Sequence, residues 1–251
     1  MKTYKLKPNL KQNYSNYTKD DFAVWKILFE RQMLLLSNLA TPEYISAIHE
    51  IGFVADKIPD FSEINKELGL KSGWKLEVVE GIINENDFFE LLANKKFPAT
   101  TWLRKLNELD YLPEPDMFHD VFGHVPLLID KKFSDFFETF GKIGVQHQDD
   151  PEIITMLGRL YWFTIEFGLI QNKDRLQIYG AGILSSHGES KYSVSKEPVH
   201  FNFDIEKIMN TDFNNSVIQN TYFIIRSFDE LYQSINSIEN IISKRENLIT
   251  R

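Results

Sequence analysis

Residues 116–128 read DMFHDVFGHVPLL, which sets two imidazoles, His119 and His124, among phenylalanines, leucines and valines. As core histidines hydrogen-bonded to backbone they would need no further explanation. As neutral nitrogen ligands to a metal ion they would do chemistry. Their spacing is awkward for that second use. Five residues of a regular α-helix turn through about 500°, leaving the two rings roughly 140° apart around the axis. Gly123 before the second histidine and Pro126 after it are expected to end the helix there, so that the chain turns His124 back towards His119. A third residue favours the metal. Glu166 is the only formal charge in LYWFTIEFGLI, residues 160–170. A carboxylate buried among aromatic side chains costs several kcal/mol unless a cation meets it, and the nearest opposite charge in its own segment is Arg159, seven residues back. One ion held by His119, His124 and Glu166 would satisfy all three.

Two imidazoles and one carboxylate on one face of an ion form the facial arrangement of non-haem Fe(II) oxygenases, with three positions left open. Zinc uses the same donors to polarise a bound water, so the ligand set does not choose between oxygenase and hydrolase. The neighbours bear on that choice. Phe118, Phe122, Tyr161, Trp162, Phe163 and Phe167 are expected to line a dry aromatic pocket, which suits a planar hydrophobic substrate better than a peptide or a phosphate.

These residues need elements to position them, and the chain is long enough to supply them. At 251 residues with 43% apolar and 14% aromatic content it can bury one full core, so one domain is expected. The charge balance, 28 basic against 36 acidic side chains, disfavours nucleic acid and anionic lipid as partners. The absence of cysteine excludes disulfides, thiolate zinc sites and a cysteine nucleophile, and fits a cytoplasmic protein. No apolar run of about 18 residues offers a membrane span.

Residues 1–19 are polar and are expected to form a loosely attached arm, with a single catalytic domain over 20–251. Phe22, Trp25, Phe29, Met33 and Leu36 recur at helical intervals behind the cap candidates Asp20 and Asp21. Thr41-Pro42-Glu43, Asn84 or Asp87, and Asp150-Pro151-Glu152 start further helices, and Gly69 is expected to close a short one. Lys75–Val79 reads as a short strand. The segment 160–170 continues the helix begun at Asp150, and the glycines at 180, 182 and 188 suggest a hairpin within 176–195. Phe228, Leu231, Ile235, Ile238 and Ile242 return to helical register. The expected fold is mainly α with a small β element.

YLPEPDMFHDVFGHVPLL, then YWFTIEFGLI, then YGAGILSSHGE, in that order and spacing, resemble the catalytic domain of the tetrahydrobiopterin-dependent aromatic amino acid hydroxylases. Within that family the chain is most similar to the short bacterial phenylalanine 4-hydroxylases, over about residues 20–235. The resemblance implies Fe(II), a reduced pterin cosubstrate and O₂, with L-phenylalanine as substrate ahead of tryptophan or tyrosine. It places the iron ligands on His119, His124 and Glu166. It places the pterin pocket on Gly81, Ile83 and Phe88, with Asp120 as a nearby acidic residue. The amino-acid site falls on Arg104 as carboxylate clamp, Ser185 as its helper, and Pro115, Trp162 and Gly182 around the ring; Tyr161 lies beside the iron. The chain departs from the family at Leu112, where animal members carry threonine, at His187 in place of phenylalanine, and at Ile218-Gln219-Asn220 in place of Phe-Gln-Pro. With room for neither a regulatory domain nor a long tetramerisation helix, a monomer is expected.

Overall fold

The computed structural model describes residues 2–249, apart from 111, 174 and 216. Eleven α-helices and six short strands are formed among these residues. The helices are α1 (Lys19–Leu39), α2 (Pro42–Ile51), α3 (Phe61–Lys71), α4 (Glu85–Ala93), α5 (Lys131–Gln146), α6 (Pro151–Tyr161), α7 (Ala181–Leu184), α8 (His187–Tyr192), α9 (Ile205–Met209), α10 (Phe228–Gln233) and α11 (Ile235–Ile249). The strands are β1 (Lys75–Val78), β2 (Lys96–Ala99), β3 (Leu169–Asn172), β4 (Arg175–Ile178), β5 (Val199–Asn202) and β6 (Thr221–Ile225). No helix among the described residues is long and apolar enough to cross a membrane.

Local chemistry accounts for the helix starts. Thr18, rather than Asp20 or Asp21, caps α1: its hydroxyl accepts from the Asp21 amide, and the Asp21 carboxylate accepts in return from the Thr18 amide, a reciprocal capping box. Thr41, Asn84 and Asp150 cap α2, α4 and α6 by the same kind of side-chain acceptance. Gly69 does not close α3. The helix runs through it to Lys71, and the chain turns at Gly73, whose φ of 78° is left-handed.

The strands differ more from expectation. β1 pairs with β2 in parallel, as a two-stranded ribbon. The larger sheet has the order β4-β3-β6-β5, antiparallel between β3 and β4 and parallel elsewhere. Its hairpin therefore covers 169–178, taking over the end of the segment expected to be helical. The glycine-containing stretch that followed forms α7 and α8 instead of a hairpin.

One continuous core joins the faces of these elements. Trp25, Tyr44, Trp74, Phe97, Phe118, Phe122, Phe136, Phe137, Phe140 and Phe163 are all at most 2% exposed within it, each such burial contributing about 1.5–3 kcal/mol before ordering costs. Phe118, Phe122 and Phe163 thus belong to the core and do not line an open pocket; Phe118 stacks on Phe122 at 4.6 Å. The first residues are also more firmly held than a loose arm. Tyr4 donates its amide to Ile82, Tyr14 its hydroxyl to Ile58, and Tyr17 its hydroxyl to Thr101.

Candidate metal centre and substrate pocket

Neither ligand-bearing segment is a regular helix where the ligands sit. Phe118–His124 and Trp162–Glu166 are both π-helical, with i→i+5 hydrogen bonding that brings residues five apart onto one side. This removes the difficulty of the five-residue spacing. His119 and His124 converge because the turn between them is widened, without the chain having to double back after Gly123. The second segment obeys the same period: the Phe167 amide donates to the Trp162 carbonyl at 2.8 Å, and the rings of Trp162 and Phe167 lie 4.5 Å apart.

Three short segments remote in sequence are clamped together by close backbone approach. A Cβ on Gly123 would lie 2.9 Å from the Ala181 carbonyl of α7, and one on Gly180 would lie 2.5 Å from the Glu166 carbonyl. Only glycine lets α7 seat against both π-turns at once.

The donors meet. His124 Nε2 is 3.0 Å from one Glu166 oxygen, His119 Nε2 is 3.6 Å from the other, and the two Nε2 atoms are 3.3 Å apart. Two ligands each about 2.1 Å from an ion stand about 3.0 Å apart at a right angle and about 3.4 Å apart at the tetrahedral angle; both separations made by His124 fall in that range, and His119 would close slightly on Glu166 to share one ion. The side chains of His119 and Glu166 are 19% and 11% exposed against 3% for His124. The site therefore opens on the His119 side.

Protonation suits ligation. Burial drives the His119 imidazole down to about 4, against the opposing pull of Glu166, so it is neutral near pH 7. Burial would push the Glu166 carboxyl up, but His124, His119 and hydrogen bonds from His124 and Tyr161 outweigh it and hold the group at about 2. The tautomer of His119 is fixed as well. Ser185 Oγ lies 2.8 Å from the Ala181 carbonyl, to which it must donate, and 2.9 Å from His119 Nδ1. The hydroxyl therefore accepts from Nδ1–H and leaves the Nε2 lone pair for a metal.

The remaining expected residues group around this centre. Phe88 meets Tyr161 edge to face at 5.2 Å, and Tyr161 in turn lies over His124 at 6.4 Å, so the expected pterin wall reaches the metal through one ring. Ile83 packs with Val79, Leu91 and Phe88, and Gly81 stands in the same loop under the Tyr4 ring. Asp120 turns away from the opening. Its Oδ2 accepts from the amide and hydroxyl of Thr100, and burial pushes its carboxyl up to about 7. Arg104 is committed in part, its Nε and one Nη forming a bidentate pair with Asp116 at 2.9 and 2.8 Å, while the other Nη faces the Leu109 carbonyl at 3.4 Å. Asp116 is fully buried and also accepts from the His119 amide, linking Arg104 to His119. Pro115, half-buried, precedes it. Trp162 is half-buried on the π-turn that carries Glu166, and Gly182 lies against the Phe167 ring. The sequence reading missed Asp116 and Thr100. Asp116 stands where a helix cap belongs, the one signal that could have found it.

The whole described chain, residues 2–249, matches the family model described as biopterin-dependent aromatic amino acid hydroxylase. The chain belongs to the biopterin-dependent aromatic amino acid hydroxylases. It is 46% identical over 226 residues to a phenylalanine-4-hydroxylase of Chromobacterium violaceum, covering 90% of this chain and 76% of that protein. A crystal structure of the phenylalanine hydroxylase of that organism, with bound iron(III) and oxidised 7,8-dihydrobiopterin, superposes with a TM-score of 0.88 at 43% identity, over 94% of this chain and 86% of that one. A third, with iron and phenylalanine bound, gives a TM-score of 0.86 at 43% identity over 91% and 84%. Membership of the hydroxylase family sets aside the hydrolase reading of the same three ligands, and the mainly helical fold with its small sheets is the fold of these hydroxylases.

Proposed function

We propose that this chain is a phenylalanine 4-monooxygenase that uses Fe(II), a tetrahydropterin and O₂ to convert L-phenylalanine to L-tyrosine. The convergence of one donor atom each from His119, His124 and Glu166 within 4.8 Å of one another carries the reading, in a family of pterin-dependent hydroxylases. One oxygen atom replaces a ring hydrogen as hydroxyl and the other leaves as water. When bound, ferrous iron and the reduced pterin supply open coordination positions and two electrons for dioxygen activation.

The chain's own side chains bind, orient and exclude water. His119, His124 and Glu166 hold the metal, with Tyr161 beside it. Gly81, Ile83 and Phe88 form the pterin wall, and Asp120 holds Thr100 behind His124. Arg104 receives the substrate carboxylate on the Nη that Asp116 leaves uncommitted, a charge-assisted contact. Pro115, Trp162 and Gly182 surround the ring, and Ser185 acts through His119. The proposal includes a cytoplasmic monomer.

Iron-loaded protein supplied with a tetrahydropterin, O₂ and phenylalanine is expected to yield tyrosine with matched oxygen uptake. Parallel assays with tyrosine and tryptophan test the preference. Turnover of neither phenylalanine nor another aromatic amino acid, with the ion bound, would defeat the reading.

A further inference from the structure

The departure from Phe-Gln-Pro at 218–220 surrounds a glutamine that is 6% exposed, and every polar atom of its side chain is used. Gln219 Nε2 donates to the Asn214 carbonyl at 2.7 Å and the Val217 carbonyl at 2.9 Å, while Oε1 accepts from Trp162 Nε1 at 3.1 Å. The orientation of the carboxamide is settled by its neighbours. Flipped, it would face the indole N–H with a second donor and set its oxygen against two carbonyls. The backbone of Gln219 is anchored separately. Its amide donates at 3.1 Å to Glu189 Oε1 on α8, an oxygen that also accepts from the Tyr222 hydroxyl. The same loop brings Phe213 flat against Trp162, with centroids 4.3 Å apart and planes 12° apart. Trp162 is thus held at its nitrogen by Gln219 and along its face by Phe213, both from one loop that contributes no metal ligand.

We infer that Gln219 and Phe213 are positioning residues for the Trp162 indole, and that through it they set which aromatic ring the pocket accepts. The inference rests on the proposal that Trp162 lines the substrate ring. An indole pinned at its N–H and stacked on one face is a rigid wall, which favours one ring size; an indole released from the pin can swing and admit a larger ring. A glutamine that merely stapled its own loop would need only its two Nε2 donations.

The experiment is a double-mutant cycle on the iron-loaded enzyme, with amino-acid KM, pterin KM and calorimetric phenylalanine affinity as readouts. Gln219→Met in the natural background is expected to weaken phenylalanine binding roughly three- to ten-fold, the size of one lost hydrogen bond. It should leave the pterin KM unchanged and lower the preference for phenylalanine over tryptophan. In a Trp162→Phe background, where there is no indole N–H to hold, the same substitution should change phenylalanine binding by less than about two-fold. Equal penalties in both backgrounds would overturn the inference alone, because they describe a loop staple. An unchanged phenylalanine KM in Trp162→Ala would remove Trp162 from the pocket and overturn the placement and the inference together. Phe213 is 39% exposed, so Phe213→Ser tests the stack without opening the core. It should move phenylalanine binding and ring preference in the same direction, and unchanged values would strike Phe213 from the inference.

Discussion

Because the Ser185 hydroxyl already donates to the Ala181 carbonyl, it can only accept from His119. Ser185→Ala is therefore expected to lower iron affinity roughly 10- to 100-fold by releasing the tautomer, as read by titrating apoprotein with Fe(II) under anaerobic conditions. If metal affinity stayed put while the phenylalanine KM rose, Ser185 would be the carboxylate helper that the resemblance implies. Arg104 pairs with Asp116 and is proposed to receive the substrate carboxylate, two roles that one substitution confounds. Asp116 is fully buried against it, so Arg104→Ala should cost about 3–5 kcal/mol of stability by stranding a charge. Urea unfolding checks this, and a paired Arg104→Met, Asp116→Leu variant should recover most of the loss while still failing to bind phenylalanine. The meeting of His119, His124 and Glu166 was legible because each was a polar group in company that could not satisfy it. Asp116 was not, since an acidic residue ahead of a helix already has an ordinary explanation as a cap.

Among the elements, glycines sort by what surrounds them. Gly180→Ala would drive a methyl to 2.4 Å from the Gly168 amide nitrogen and 2.5 Å from the Glu166 carbonyl, so it should cost about 1–3 kcal/mol and disturb metal binding as well. Gly69 sits inside α3 with open space around it. Gly69→Ala should stabilise the protein by about 0.5–1 kcal/mol, and thermal melts of the two variants should shift in opposite directions. Helix starts were readable from Thr41, Asn84 and Asp150, where a short polar side chain meets a free amide. The π-turns were not, because no residue type marks a turn widened by one residue. Nor was the hairpin at 169–178: Leu169 and Ile170 continue an unbroken apolar run, and such a run carries no period that separates strand from helix. Conversely, α7 spans four residues with a glycine among them and reads as a turn.

Across the whole molecule, the core was legible as aromatic content, whereas the joining of distant segments was not. Glu189 shows what such joining entails. It is 5% exposed, and burial raises its carboxyl above the usual range against the hydrogen bonds from Tyr222 and Gln219. A raised folded-state value means that its contribution to stability is fully present below the ordinary carboxylate range. That contribution is lost as pH climbs through the raised value. Glu189→Gln removes this titration, so the stability of the variant relative to the natural protein should improve from pH 5 to pH 8. Urea midpoints at the two pH values measure it, and a constant difference would show that Glu189 titrates as it does in the unfolded chain.

The widened turn at Phe118–His124 also constrains how this gene can drift. A one-codon gain or loss in a surface loop is absorbed locally, but inside this segment it would rotate one imidazole about 100° from its partner. Length variation among descendants of this chain should therefore collect in exposed connections and stop short of 119–124.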